Sequence, residues 1–328
     1  MKLTKKDIAS ITHGALRVEE NAAGEIALYR FTENQMALYE RVNTGFWEKS
    51  FGTAGMRLEM DTDADTLDLR YHTRPASSRR FYYFDVFVDG VMVKHFGHED
   101  IKEAISTLHV DLPAGTHRVC VYLPNLAAAT IQSLELSDGA NFKPVKRKTK
   151  LLAFGDSITQ GYDARFASQS YANLLADKLG AELVNMGIGG EVFRPELVDA
   201  EMNYTPDIVT IAYGTNDWSG QARERTETCS AEFYANVRKA FPKAKIFAIT
   251  PIWRADNHRV TQVGVFEEGR EIVRAAARAV GATIVEGDGM IPHLPEVCSD
   301  AYLHPNDYGF KFYANALYDA IAAELGKE

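Results

Sequence analysis

The period of the hydrophobic pattern changes once along this chain, near Lys150, and that change restricts the folds open to it. Before it, apolar residues alternate over short runs. "GMRLEMDTDADTLDLRYHT" holds two such runs around Thr62-Asp63-Ala64-Asp65. "RFYYFDVFVDGVMVKHFG" places Phe84, Val86 and Val88 before Asp89-Gly90, and Val91 and Val93 after it. Asp-Gly between two β-rich runs predicts a hairpin. "THRVCVYLPN" and "IQSLELSDG" add two further strands, so the stretch from about Ile11 to Ser137 reads as an all-β sandwich or jelly roll.

After Lys150 strands alternate with helices. "KLLAF", "AELVN", "DIVTIAY", "KIFAIT" and "ATIVE" are short apolar runs, separated by helical stretches such as "SYANLLADKLG" and "FEEGREIVRAAARAVG". In the last helix Phe310, Tyr313, Leu317, Ile321 and Leu325 share one face, and Gly326 follows as a stop. Such alternation predicts an α/β unit with a parallel sheet flanked by helices. "DGANFKPVKRK" reads as the linker, giving domains at 1–147 and 148–328. The basic run Lys143, Lys146, Arg147, Lys148 and Lys150 reads as a solvated part of it.

The 328 residues suffice for two cores without staples. A net charge of −9 leaves no basic surplus for phosphates, which argues against a nucleic-acid partner. The three cysteines imply neither a disulfide framework nor a zinc site, and no cofactor or metal is expected. No run approaches a membrane span, and the N-terminal stretch lacks the apolar core of a signal peptide. A cytoplasmic location and no membrane partner are therefore expected.

In an open parallel sheet, ligands bind beyond the carboxyl ends of the strands. Gly155-Asp156-Ser157, Asn185 to Gly190, and Gly214-Thr215-Asn216-Asp217 all follow predicted strands, and His304-Pro305-Asn306-Asp307 precedes the last helix. Taken singly, these are a helix cap, a tight turn, another cap and a structural histidine. Brought to one rim, a hydroxyl, a base and small polar donors are the parts of an acyl-transfer site.

With "FGDSITQG", "NMGIGG", "YGTND" and "LHPND" in this order, the chain resembles the SGNH (GDSL) hydrolases, whose blocks carry Ser, Gly, Asn and His. The resemblance implies a flavodoxin-like catalytic fold over residues 148–328. It also implies a serine esterase, in which Ser157 is the nucleophile and His304 the base. The backbone N–H groups of Ser157 and Gly190 and the amide of Asn216 would form the oxyanion hole, with Gly189 in reserve if the loop register slips by one. Asp156 would shape the serine turn, and Asp217 would brace Asn216. The β-rich half is similar to the jelly-roll domain of some carbohydrate esterases in this family, which points to short acyl esters, acetyl above all, on a small-molecule or glycan substrate. Lipid and aryl esters are the alternative, and a non-catalytic carbohydrate-binding protein is another. A homo-oligomer is compatible with the extra domain.

The chain departs from the family at one position. The triad acid normally stands three residues before the histidine, where this sequence has Ala301. Asp300, one residue further off, is the leading candidate if a local bulge absorbs the slip. The other reading is a Ser-His dyad whose imidazole is oriented by a backbone carbonyl. Trp253, following "KIFAIT", is a candidate for stacking on substrate, and Arg194 and Arg254 are candidates for substrate binding. His95, His98, Glu99 and Asp100 in "KHFGHED" mimic a metal site but read as a solvated turn.

Overall fold

A computed structural model describes residues 1–100 and 104–326, with Ala104 described by its backbone alone. The first half contains two antiparallel sheets. One runs, in spatial order, β1 (Thr12–His13), β4 (Arg57–Thr62), β9 (His117–Tyr122), β6 (Tyr82–Val88) and β7 (Val91–His98), with β11 (Phe142–Pro144) also on β4. The other runs β2 (Arg17–Glu20), β3 (Ile26–Tyr29), β10 (Ala127–Leu136), β5 (Thr66–Pro75) and β8 (Ala104–Asp111). Their inner faces share one core, to which β5 gives Leu67, Leu69 and Tyr71 and β6 gives Phe84, Val86 and Val88. The period-2 alternation read in the sequence is this division into core and outer faces. Asp89 and Gly90 join β6 to β7 with φ of 49° and 81°, the left-handed pair that a tight two-residue hairpin turn requires.

The same half holds helices where only strands were expected. Beyond α1 (Lys5–Ile11), a helical pair α2 (Glu33–Val42) and α3 (Thr44–Ser50) interrupts the β pattern. The cause is local. Thr32 and Gln35 form a reciprocal capping box, and the Asn43 side chain accepts from Phe46 N–H to start α3. Met36, Leu38 and Tyr39 of α2 lie on the parallel sheet with Leu152, Phe154, Val184 and Met186, not in the core between the antiparallel sheets. The expected linker is also more ordered than its composition suggested. Its β11 extends a sheet, and Arg147 forks onto the buried Glu59 at 2.9 and 3.1 Å, so this part of the basic run is a structural contact.

The second half is a five-stranded, all-parallel sheet in the order β13 (Ala181–Gly187), β12 (Thr149–Gly155), β14 (Ile208–Ala212), β15 (Lys245–Ile249) and β16 (Thr283–Val285). Leu152 and Phe154 face α2, α7 (Arg223–Ala240) and α8 (Phe266–Ala279), while Leu151 and Ala153 face α5 (Tyr171–Lys178) and α9 (Asp307–Leu325). Burial on both faces is why the strands read as unbroken apolar runs.

Side chains stitch the halves together. Arg30, fully buried, donates to the carbonyls of Lys49 and Gly52 on its own side and of Asn185 and Gly187 at the end of β13. Burial lowers its guanidinium to about 9. His95 occupies a strand, not a solvated turn. Its Nδ1 lies 2.7 Å from the buried Asp85, whose other oxygen accepts Ser168 N–H at 2.8 Å.

Candidate active site

The sheet delivers the serine at the end of β12, an interior strand flanked by β13 and β14. Strand β12 ends at Gly155, and Ser157 is the first residue of α4 (Ser157–Gln160), which is capped by Asp156 accepting Ile158 N–H at 3.0 Å. Burial raises the Asp156 carboxyl to about 6 despite that bond. Asp156 thus serves the turn, as expected.

The histidine arrives from the loop before α9. Ser157 Oγ lies 2.9 Å from His304 Nε2, and His304 Nδ1 lies 2.7 Å from Asp300 Oδ2. The one-residue displacement of the acid is absorbed by Ala301, whose φ is 57°. With the chain turned left-handed there, Asp300 Oδ1 accepts the N–H groups of Tyr302, Leu303 and His304 at 3.0, 2.8 and 3.1 Å. Burial pushes the Asp300 carboxyl up, but the bonds from His304 and from these backbone groups outweigh it and hold the group well below the usual carboxylate range.

The glycine block lies beyond β13 on the same rim. Gly190 has φ of 89°, a conformation that a side chain would resist. A Cβ at Gly189 would come within 2.5 Å of the Tyr162 hydroxyl, so Gly189 is small because Tyr162 lies against it. Asn216 lies in α6 (Thr215–Gly220), which follows β14 as α4 follows β12, and donates one amide N–H to Glu191 O at 2.9 Å. That bond fixes the amide plane and leaves the second N–H of Nδ2 for another acceptor. Asp217 does not brace Asn216 directly. It accepts Phe193 N–H at 3.1 Å and so ties the asparagine helix to the glycine loop, and burial raises it to about 7.

The three substrate-binding candidates each have partners within the protein. Arg254 is 2% exposed. It bonds Asp256, Thr215 and Tyr302, and so braces the asparagine block against the histidine block. With Nε and both terminal nitrogens engaged, it has no free fork for a ligand, which corrects the sequence expectation. Trp253 is buried and stacks on His293, with ring centroids 5.6 Å apart. Arg194 pairs at 3.1 Å with Glu191, a buried carboxylate.

Four contributors went unread in the sequence. Glu191 anchors the glycine loop. Lys49 of α3 donates to Gly189 O at 2.6 Å, so the first half reaches the same loop. Tyr162 stacks on His304, with centroids 5.6 Å apart. Arg79, between β5 and β6, forks onto Asp163 at 2.5 and 2.8 Å. Glu191 and Tyr162 sit beside recognised blocks, but only long-range contacts expose Lys49 and Arg79.

Comparison with known proteins relates the chain to a family of hydrolases and to a shared fold. Residues 153–312 match the model of the GDSL-like Lipase/Acylhydrolase family. The chain is 24% identical over 200 residues to a GDSL lipase of Mycobacterium tuberculosis, covering 55% of this chain and 84% of that one. Among solved structures, it is similar to a salicylyl-acyltransferase from a tetracycline biosynthetic pathway, with a TM-score of 0.83, 22% identity and coverage of 95% and 94%. It is also similar to a family two carbohydrate esterase from Cellvibrio japonicus, with a TM-score of 0.69, 18% identity and coverage of 98% and 97%. An acetyl xylan esterase from Butyrivibrio proteoclasticus gives a TM-score of 0.66 at 16% identity, with 99% of each chain covered. These likenesses extend through both halves and describe a shared fold. Residues 153–312 of this chain are a GDSL-like lipase/acylhydrolase domain of the SGNH type.

Proposed function

We propose that this protein is a serine esterase that removes short acyl groups, acetyl first, from a carbohydrate. The observation that carries the reading is the continuous chain from Ser157 Oγ through His304 to Asp300, at 2.9 and 2.7 Å. His304 Nε2 takes the serine proton as Oγ attacks the ester carbonyl, and Asp300 stabilises the imidazolium from the other side. The oxyanion receives the N–H groups of Ser157 and Gly190 and the second amide N–H of Asn216. The imidazolium then protonates the leaving alcohol, and water enters to release the acid by the reverse route.

The carbohydrate assignment draws on likeness to the esterases above, and the two antiparallel sheets are read with it as a jelly roll spanning residues 1–147 before a catalytic unit at 148–328. Among the described residues no helix is long and apolar enough to cross a membrane, which is compatible with the proposed cytoplasmic site of action. The test is hydrolysis of a chromogenic acetate ester by the wild type and by Ser157→Ala, followed by a panel of acetylated sugars, lysophospholipids and aryl esters. Activity lost in Ser157→Ala and highest on acetylated sugars is expected. No Ser157-dependent hydrolysis of any ester would refute the enzyme reading, and preference for lipid or aryl esters would refute the carbohydrate assignment.

A further inference from the structure

A second acid stands beside the Asp300–His304 pair. Asp163 belongs to the loop after α4, and its carboxylate presents an oxygen within 4.8 Å of ligand atoms of both Asp300 and His304. It is 7% exposed, its backbone φ is 68°, and the Ser299 hydroxyl donates to its carbonyl at 3.4 Å. The Asp163 backbone is thus tied to the histidine loop, with its carboxyl beside the Asp300–His304 pair. Left alone, it would compete with Asp300 for the imidazole and favour the imidazolium in the resting enzyme, which is unfit to act as a base.

The first half supplies the counter-charge. Arg79 donates Nε and Nη2 to the two Asp163 oxygens, in the side-on geometry that satisfies both at once. Its guanidinium lies 5.2 Å from the Tyr162 ring centroid. Tyr162 in turn stacks on His304, and its hydroxyl accepts Ser78 N–H at 3.2 Å. A single turn of the N-terminal half therefore grips both the ring and the acid that flank the histidine. The ionisable groups around His304 are Asp300 on its own loop, Asp156 on the serine turn, Tyr162 and Asp163 on the next loop, and Arg79 opposite.

We propose that Arg79 is a positioning residue for His304: its fork occupies the Asp163 carboxylate and thereby reserves the imidazole for Asp300 and Ser157. The N-terminal half then controls the protonation state of the base from across the domain boundary. This rests on the reading of His304 as the catalytic base, so its test includes a measurement independent of turnover.

The full chain carrying Ser157→Ala is labelled with 13C-histidine and titrated by NMR, with His304 identified by its loss in His304→Gln. Arg79→Gln is expected to raise the His304 midpoint by about 1 pH unit, since an unpaired carboxylate at this range favours the charged ring. Asp163→Asn is expected to lower it, because Arg79 then faces the imidazole without a partner. Arg79→Gln combined with Asp163→Asn is expected to return the midpoint close to that of the parent. In the enzyme with Ser157 intact, the acid limb of kcat/KM should follow the same order, with Arg79→Gln about tenfold slower below the limb and recovering above it. An unmoved midpoint in both single variants overturns the inference even if ester hydrolysis is demonstrated. Midpoints that move as stated uphold it even if no ester proves to be a substrate. Should Arg79→Gln fail to fold, Asp163→Asn alone decides by the sign of its shift.

Discussion

Asp300 Oδ2 reaches His304 Nδ1 at 2.7 Å although the two residues are four apart, because Ala301 between them takes a φ of 57°. The carboxylate is held by four hydrogen bonds, three to backbone N–H groups of its own loop and one to the imidazole. Such an acid fixes the tautomer and stabilises the charged ring. Asp300→Asn is therefore expected to lower kcat by about 10³–10⁴, approaching the loss in Ser157→Ala. Steady-state kinetics on an acetate ester, with the fold checked by circular dichroism, decides this. A loss under about tenfold would favour the dyad in which a backbone carbonyl orients the ring.

Ala301 itself makes a separate prediction. An L-residue in the left-handed region costs about 1–2 kcal/mol, which glycine avoids. Ala301→Gly should leave stability unchanged or raise it by up to about 1 kcal/mol, since lost strain opposes added chain entropy. Ala301→Val should lower both stability and kcat, because a β-branched residue is a steric outlier there and would push Asp300 out of register. Urea denaturation and kinetics on the two variants read this directly, and equal behaviour of Gly and Val would contradict it.

For Asn216 the expectation follows from its two amide hydrogens. One is held by Glu191 O, and the other is free to meet an oxyanion. Asn216→Ala should lower kcat by about 10²–10³ while changing KM little, since the bond tightens only as charge develops. A change confined to KM would mean that the amide binds substrate in its ground state.

What the sequence revealed and what it hid separate by range. The four blocks were legible because each is local: a strand end, a turn or a helix start, with its chemistry inside a few residues. Asp300 was legible only as one of two options, since nothing in an alanine announces a left-handed backbone. The capping box of Thr32 and Gln35 was present but lay inside a stretch read as β-rich, and its helix packs on the other half's sheet. Arg254 differs for the opposite reason: its position near the rim suggests substrate, whereas Asp256, Thr215 and Tyr302 draw the side chain inward. Arg79 stands 84 residues from the acid it neutralises, and no periodicity reports such a contact.

Buried carboxyls of this site also set a pH dependence of stability. Asp217 has a folded value of about 7 against an ordinary 3.8, with burial as the main cause. A carboxyl raised in the folded state binds more protons there than in the unfolded chain between those two values. Its contribution to stability is thus present below about 3.8 and is lost progressively as pH rises to about 7, by a few kcal/mol at most. Other carboxyls with lowered values, such as Asp300, act in the opposite sense at lower pH. Asp217→Asn removes the ionisation and keeps an oxygen to accept Phe193 N–H. The variant should therefore gain stability relative to wild type as pH rises, being more stable by about 1–3 kcal/mol at pH 7.5 and little changed at pH 4.5. Urea denaturation of both proteins at the two pH values measures the difference. An equal offset at both would mean that the aspartate ionises without cost, with Arg225, 3.6 Å away, fully compensating its charge.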